Sequence, residues 1–274
     1  MKNPSNQMSD ENRWKEKMPP RLERPSLFTW IILLIFIGFI ISGLQNADIT
    51  VERLSRGILN IGGFLDKAFP PDTARVIPLL SRIRETFEMA LIGTFVGVML
   101  SIPIALLASR NTSPYFIVRS FTKGIVTTLR TIPDLIWALI FVISVGLGPL
   151  AGILTIIVDT IGFCGRFFSE RIEEVDAGPP RALESTGASR LGVIFGSIIP
   201  ICLPSFVGTS LFAVEKAVRS AVILGLVGAG GIGIELSTSM SLRRFDEALM
   251  IIILILVIVL VVEQVSSVIR KKFI

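Results

Sequence analysis

Long apolar runs separated by short charged segments dominate this chain. Six runs have about the twenty residues that a helix needs to cross the hydrocarbon layer of a membrane. They cover residues 27–44, 86–108, 125–146, 150–168, 194–214 and 248–268. Residues 217–236 form a candidate seventh run. The pattern predicts an all-α integral membrane protein with about six transmembrane helices.

The connection between the first two runs is the longest and has a periodicity of its own. Within residues 45–84, Ile58, Ile61, Phe64, Leu65 and Phe69 recur at helical spacing, which predicts a short amphipathic helix. It lies either on the membrane surface or against the bundle. The chain is therefore divided into a polar tail (1–26), a first span with an external loop (27–85) and a transmembrane domain (86–274).

Composition supports a membrane protein and excludes several kinds of chemistry. Of the 274 residues, 51% are hydrophobic and only 18% are charged, whereas soluble domains have about 25% charged residues. The absence of histidine excludes histidine-dependent triads and histidine metal sites. Cys164 and Cys202 have apolar neighbours and are predicted to be buried free thiols, with no metal bound.

Basic residues predict how the chain is oriented. With the N-terminal tail in the cytoplasm, sixteen of the 27 Lys and Arg residues fall in cytoplasmic segments and ten in external ones. Both termini are therefore predicted to be cytoplasmic. The net charge of +5 is interpreted as anchoring to anionic lipid and not as nucleic-acid binding.

Two arginine–acid pairs and a cluster of glycines fall within or directly beside the apolar runs. Arg130 with Asp134, and Glu215 with Arg219, are four residues apart and so are expected on one helical face. Charges at this depth cost about 2.5–3.5 kcal/mol each, so they neutralise one another or line a wet path. The glycines permit close backbone approach and a broken, re-entrant course, or close helix packing without a pore. They are Gly225, Gly228, Gly230, Gly231 and Gly233.

The sequence contains no convincing nucleotide-binding motif. Gly228, Gly230 and Gly233 have the spacing of a dinucleotide-binding loop, but a membrane span follows and no strand–helix–strand unit surrounds them. The P-loop pattern is absent from the sequence. The chain is therefore not expected to hydrolyse ATP by that route.

Between the fourth and fifth runs, the sequence predicts a short helix over residues 180–186 on the cytoplasmic face. Pro179 and Pro180 suit the first turn of a helix, and Gly187 suits its end. Pro200 and Pro204 would kink or break the span that follows. Such a helix is either a rigid element that docks into a partner or an ordinary solvated loop helix.

This stretch resembles the signature loop of ABC importer permeases of the type I, binding-protein-dependent class. That loop has a Glu-Ala-Ala triplet, a glycine after three further residues and a Leu-Pro ending. Ala182, Gly187 and Pro200 match it, whereas Arg181 replaces the glutamate and Leu183 takes the third position. Glu184 either supplies the missing carboxylate or pairs with Arg181. The resemblance implies that Pro180, Arg181, Ala182, Leu183, Glu184, Gly187 and Pro200 belong to a coupling helix and its flank.

Residues 130–139, 145–149 and 218–233 further resemble the phosphonate branch of these permeases. The resemblance implies an inner-membrane subunit that works as a homodimer with two cytoplasmic ABC ATPases and an extracytoplasmic phosphonate-binding protein. ATP and Mg²⁺ would be bound by the ATPases, so this chain would have no cofactor and would not itself be an enzyme.

The resemblance also implies that the five glycines named above contribute to a translocation path and its gate. The charged residues Arg130, Asp134, Glu215 and Arg219 are candidates for the same path, because arginine suits the oxygens of a phosphonate anion. Import of phosphite, phosphate or methionine remains an alternative. A secondary transporter or channel is an alternative of another class, for which inverted repeats would be expected.

Overall fold

A computed structural model describes residues 26–47 and 50–273, and in these ranges all regular secondary structure is helical. The tail predicted over residues 1–26 lies outside the described residues, apart from Ser26. The helices are α1 (Leu27–Asn46), α2 (Val51–Ala68), α3 (Val76–Ala108), α4 (Phe116–Thr131), α5 (Asp134–Val145), α6 (Pro149–Glu173), α7 (Gly178–Ser185), α8 (Arg190–Val193), a π-helical turn (Ile194–Ile198), α9 (Ile199–Leu226), α10 (Ile232–Ser241) and α11 (Phe245–Phe273).

Within the described residues, five helical segments are long and apolar enough to cross a membrane. Helices α4 and α5 provide a sixth crossing if this pair, bent by 90°, is one span. The prediction of an all-helical membrane protein with about six spans is therefore confirmed. The five segments are Leu27–Asn46, Val76–Ala108, Pro149–Glu173, Arg190–Leu226 and Phe245–Lys272.

The chain divides into two compact units, Met1–Gly62 and Gly63–Ile274. In the first unit, α1 is apolar and exposed along its whole length, as suits a helix that meets lipid on every side. Its N-terminus is capped by Ser26, whose Oγ accepts a hydrogen bond from the Thr29 N–H at 3.3 Å.

The amphipathic helix predicted in the first connection exists as α2. Its apolar positions Val51, Leu54, Ile58, Ile61 and Leu65 are exposed. At its C-terminal end, within the second unit, Phe64 meets Phe245 edge-on with ring centroids 5.2 Å apart, and Ala68 is buried. This end of α2 therefore packs against protein.

The core of the second unit is the contact between α3 and α6. A Cβ added at Gly93 would lie 2.7 Å from Ile156 Cβ, and one added at Gly97 would lie 2.5 Å from Thr160 Cβ. These two glycines, one turn apart, therefore let the backbones approach closely. Helix α3 begins at Val76 and not at residue 86, so the predicted border at 85/86 falls inside one continuous helix.

The third predicted span is not one straight helix. Helix α4 ends at Thr131, α5 begins at Asp134, and the axes differ by 90°. Pro133 lies at the break, where it cannot donate a backbone hydrogen bond and disfavours helical geometry at Ile132.

The fifth predicted span is much longer than expected, because helical structure continues from Arg190 to Leu226. The π-helical turn ends at Ile198, two residues before Pro200, and Pro204 lies within α9, so the helix continues through both prolines. Residues 217–236 are not a seventh span. They form the end of α9, a turn at residues 227–231 and the start of α10.

Candidate functional site

Helix α7 is the short surface helix that the sequence predicts after the fourth span. Two prolines lie in its first turn, and Gly187 has a φ of 82°, the left-handed conformation common after a helix end. The Gly187 N–H donates to the Glu184 carbonyl at 3.0 Å and the Ala188 N–H to the Leu183 carbonyl at 3.3 Å. The helix covers Gly178–Ser185, close to the predicted 180–186.

Helix α7 is supported from below by the start of the long fifth span. Leu183 is half-buried, and a Cβ built on Gly196 in the π-helical turn would lie 3.6 Å from its Cδ1. The guanidinium of Arg190 donates to the carbonyls of Thr112, at 3.0 Å, and Ser113. The segment that carries α7 is therefore tied to the connection between α3 and α4.

A second set of contacts fixes the end of α6, from which the chain leads to α7. The Glu173 carboxylate accepts from the Arg110 N–H at 2.8 Å and from Lys123 Nζ at 3.0 Å. The surface helix thus begins and ends on anchored backbone. A cavity of about 660 Å³ adjoins α7, and its lining includes Arg181 and Glu184.

Most residues of α7 are open to solvent. Arg181, Ala182 and Glu184 are exposed. Within the described part of the chain, Arg181 and Glu184 form no ion pair with each other. Of the two predicted alternatives for Glu184, pairing with Arg181 is therefore not observed, and both charges can meet a partner.

The prediction that Arg130 and Asp134 share one helical face is wrong. Because the chain bends at Pro133, Arg130 lies in the last turn of α4 while Asp134 begins α5. Asp134 Oδ2 accepts a hydrogen bond from Ser220 Oγ in α9 at 3.0 Å, and Arg130 is exposed. Participation of either residue in a translocation path stays a prediction.

The Glu215–Arg219 pair forms as predicted, and a second arginine joins it. Arg219 Nη1 lies 3.0 Å from Glu215 Oε1, and Arg270 Nη2 of α11 lies 3.5 Å from Glu215 Oε2. The Glu215 side chain is only 8% exposed. The sequence does not predict the contact made by Arg270, because nothing in the local pattern indicates that α11 brings this residue to α9.

A further ion pair, between two of the spans, was missed by sequence reasoning. Lys216 Nζ lies 2.7 and 2.8 Å from the two Asp159 carboxylate oxygens and 5.3 Å from the centroid of the Phe163 ring. In the sequence, Asp159 lies within the apolar run 150–168, whereas Lys216 follows the run 194–214. The two are 57 positions apart, and only the contact between α6 and α9 unites them.

The glycine segment is a tightly packed turn. A Cβ on Gly233 would lie 2.1 Å from the Val222 carbonyl oxygen, so the end of α9 and the start of α10 touch through their backbones. The Gly231 N–H donates to Glu85 Oε1 at 3.2 Å and the Ile232 N–H to Thr86 Oγ1 at 2.8 Å. Close approach and a broken helix are confirmed, while a role in the path or gate stays a prediction.

An ion-pair network joins the adjacent ends of α3, α10 and α11. Arg82 Nε lies 3.2 Å from Glu235 and its Nη1 lies 2.9 Å from Glu85, which also accepts from the glycine turn. Arg75 contacts both Glu235 and the buried carboxylate of Glu247. The network therefore ties the glycine turn to two helices.

The described residues contain no group of three or more Cys, Asp or Glu side chains that could hold a metal ion. Cys164 and Cys202 are free and buried, as predicted. The candidate site therefore consists of charged pairs between apolar helices, together with the exposed surface helix α7.

Comparison with known proteins identifies the family to which this chain is similar. Residues 74–273 match the family described as binding-protein-dependent transport system inner membrane component. The phosphite transport system permease protein PtxC of Stutzerimonas stutzeri is 34% identical over 220 residues, 80% of each chain. The phosphate-import permease protein PhnE of Mycolicibacterium smegmatis is 34% identical over 227 residues, 82% of this chain and 42% of that protein.

A solved structure shares the fold. The methionine ABC transporter MetNI, in an inward-facing conformation, superposes with a TM-score of 0.65 at 19% identity. The match covers 74% of this chain and 99% of that one. At this level of sequence identity, the similarity supports a shared fold and nothing more.

Proposed function

The chain belongs to the family of binding-protein-dependent transport inner membrane components, and from this membership we propose that it imports phosphorus oxyanions. It is a multi-pass membrane protein and a permease subunit of an ABC importer. The substrate proposed is a phosphonate or a related anion such as phosphite or phosphate. Similarity to permeases named for phosphite and for phosphate import supports this class of substrate.

The observation that carries the mechanism is the exposed helix α7 on its anchored frame. In the proposed mechanism, this helix enters a cleft of a separate ATPase subunit on the cytoplasmic side. Because Leu183 packs against the π-helical turn, a displacement of α7 would be passed to the start of the long fifth span. Arg181 and Glu184 would meet charges on the ATPase surface.

The proposed assembly contains two copies of this chain, two ATPase subunits and an external binding protein. ATP and Mg²⁺ would bind to the ATPases, so this chain would contribute no catalytic residue. Both of its termini would lie in the cytoplasm, in the membrane that the family description calls inner. The binding protein would deliver the anion to the external ends of the spans.

Within the permease, the charged pairs and the glycine turn would form the path and its gate. Arg130 is exposed and has no ion-pair partner among the described residues, and Arg219 remains half-exposed beside Glu215. Guanidinium groups suit the oxygens of a phosphorus anion. The tightly packed glycine turn would change its contacts as the path opens towards one side or the other.

The test is uptake by liposomes that contain this permease with its ATPase subunits and binding protein. We expect phosphite or methylphosphonate to enter the liposomes only when ATP is accessible to the ATPase subunits. Methionine should not compete with this uptake. Uptake by the permease alone, without ATP, would overturn the importer assignment in favour of a secondary transporter. ATP-dependent uptake of methionine but of no phosphorus anion would overturn the proposed substrate.

A further inference from the structure

A cavity between α6, α9 and the end of α11 combines positive charge with free hydrogen-bond donors. We propose that this cavity is a binding subsite for the phosphorus oxyanion during its passage through the permease. The inference rests on the proposed function for the class of substrate. It adds a site, formed by Arg171, Arg270, Ser205 and Thr209, that no local motif in the sequence reveals.

The cavity has a volume of about 760 Å³ and is open on one side. Arg171 and Glu174 line it from α6 and the residue after its end, and Ser205 and Thr209 line it from α9. Arg270 enters from α11. A phosphorus anion with a small substituent is well within this volume, and both arginines belong to the lining.

The two arginines are incompletely neutralised by protein. Arg270 approaches Glu215 only at 3.5 Å, and that carboxylate already has Arg219 at 3.0 Å. Arg171 approaches Glu174 at 3.4 Å, while its Nε is buried and has no hydrogen-bond partner. With one carboxylate and two guanidinium groups, the lining carries a net positive charge.

Two hydroxyl groups in the wall are also free to donate. In membrane helices a serine or threonine hydroxyl usually donates to the carbonyl four residues earlier, as Ser210 does to Phe206 at 2.7 Å. In the described structure, Ser205 and Thr209 make no such bond, although both line the cavity. Their hydroxyls and the guanidinium forks together match an anion with three or four oxygens.

The remaining wall is aromatic. The rings of Phe163 and Phe167 have centroids 4.8 Å apart, and those of Phe163 and Phe212 are 5.7 Å apart and stacked. All three rings line the cavity. An apolar wall lowers the local dielectric constant and so strengthens the attraction between an arginine and a bound anion.

The phosphate group of an anionic lipid offers the same oxygens as a phosphorus oxyanion. The experiment must therefore distinguish a bound lipid headgroup from the free anion. Radiolabelled phosphite binding would be measured on the permease–ATPase complex in nanodiscs of phosphatidylcholine only. We expect Arg270→Gln and Arg171→Gln to weaken binding at least tenfold. The matched controls Lys271→Gln, next to Arg270 but exposed, and Arg166→Gln, an exposed residue of α6, should stay within twofold.

Unchanged binding in both cavity variants would overturn the site. So would phosphatidylglycerol that co-purifies in an Arg270-dependent manner and is not displaced by phosphite. If a cavity variant fails to remain monodisperse, Thr209→Val serves as a second variant, because it keeps the charge and the shape of the side chain. It should weaken phosphite binding severalfold. Unchanged binding in this variant would count against the site.

Uptake separates this inference from the proposed function. If liposomes with the wild-type protein take up phosphite and both arginine variants take it up equally well, only the assignment of the cavity is overturned. Wild-type liposomes that take up no phosphorus anion would overturn the proposed substrate and the cavity assignment together.

Discussion

Leu183 in the surface helix α7 lies against Gly196 in the π-helical turn that begins the long fifth span. The contact therefore joins the exposed helix α7 to a helical segment that is long and apolar enough to cross the membrane. A Cβ added at Gly196 would lie 3.6 Å from Leu183 Cδ1, an ordinary van der Waals distance, so the two elements are adjacent and a displacement of α7 would act on the span directly.

We predict that Leu183→Ala uncouples ATP hydrolysis from transport. Loss of the contact with the π-helical turn should let α7 move without the fifth span, so uptake should fall about fivefold or more while the ATPases still assemble. Transport and ATP hydrolysis would be measured on the same liposomes. Leu183→Met, which keeps the apolar contact, should behave nearly as the wild type; a proportional loss of both activities would contradict the prediction.

Gly187→Pro should abolish transport, because proline fixes φ near −65° whereas Gly187 requires 82°. The end of α7 would then be misdirected. Gly187→Asn is the matched control, since asparagine tolerates the left-handed conformation. Membrane insertion of each variant would be checked by fractionation. Normal uptake by the proline variant would show that the shape of α7 is unimportant.

Glu184→Lys should weaken association with the ATPase subunits, because this exposed carboxylate has no partner within the described chain. Co-purification of the ATPases should fall severalfold and should be more sensitive to salt. Ser185→Lys adds a charge on the neighbouring exposed position and serves as the control. Equal losses in both variants would indicate general repulsion and not a specific role for Glu184.

Lys216→Met should destabilise the bundle, since it leaves the Asp159 carboxylate without its partner inside the membrane. A loss of about 1–3 kcal/mol is expected for this partly exposed pair. Thermal unfolding in detergent would measure it. The double variant Lys216→Met with Asp159→Asn should recover most of the loss, and the absence of recovery would mean that the pair is not what stabilises this contact.

Gly97→Ala should also destabilise, because the new Cβ would lie 2.5 Å from Thr160 Cβ at the contact between α3 and α6. Overpacking of this kind typically costs about 1–3 kcal/mol. Gly124→Ala in α4 is the control, because nothing lies within 4 Å of its added Cβ. Comparable melting temperatures for the two variants would refute the close approach of α3 and α6.

The sequence by itself determined the class of protein, the approximate spans and the helix α7. These features depend on local information: apolar runs of membrane-spanning length, the prolines that begin α7 and the glycine that ends it. Pairs that are close along the chain within one helix, such as Glu215 with Arg219, were also predictable, because helical geometry fixes their distance.

The tertiary structure decided which distant charges meet and where the backbone bends. Arg130 and Asp134 were expected on one face, but a single proline between them redirected the chain by 90°. Lys216 with Asp159, and Arg270 with Glu215, come together only through the packing of α6, α9 and α11. Spacing along a sequence contains no information about such contacts, because they depend on the relative rotation and depth of separate helices.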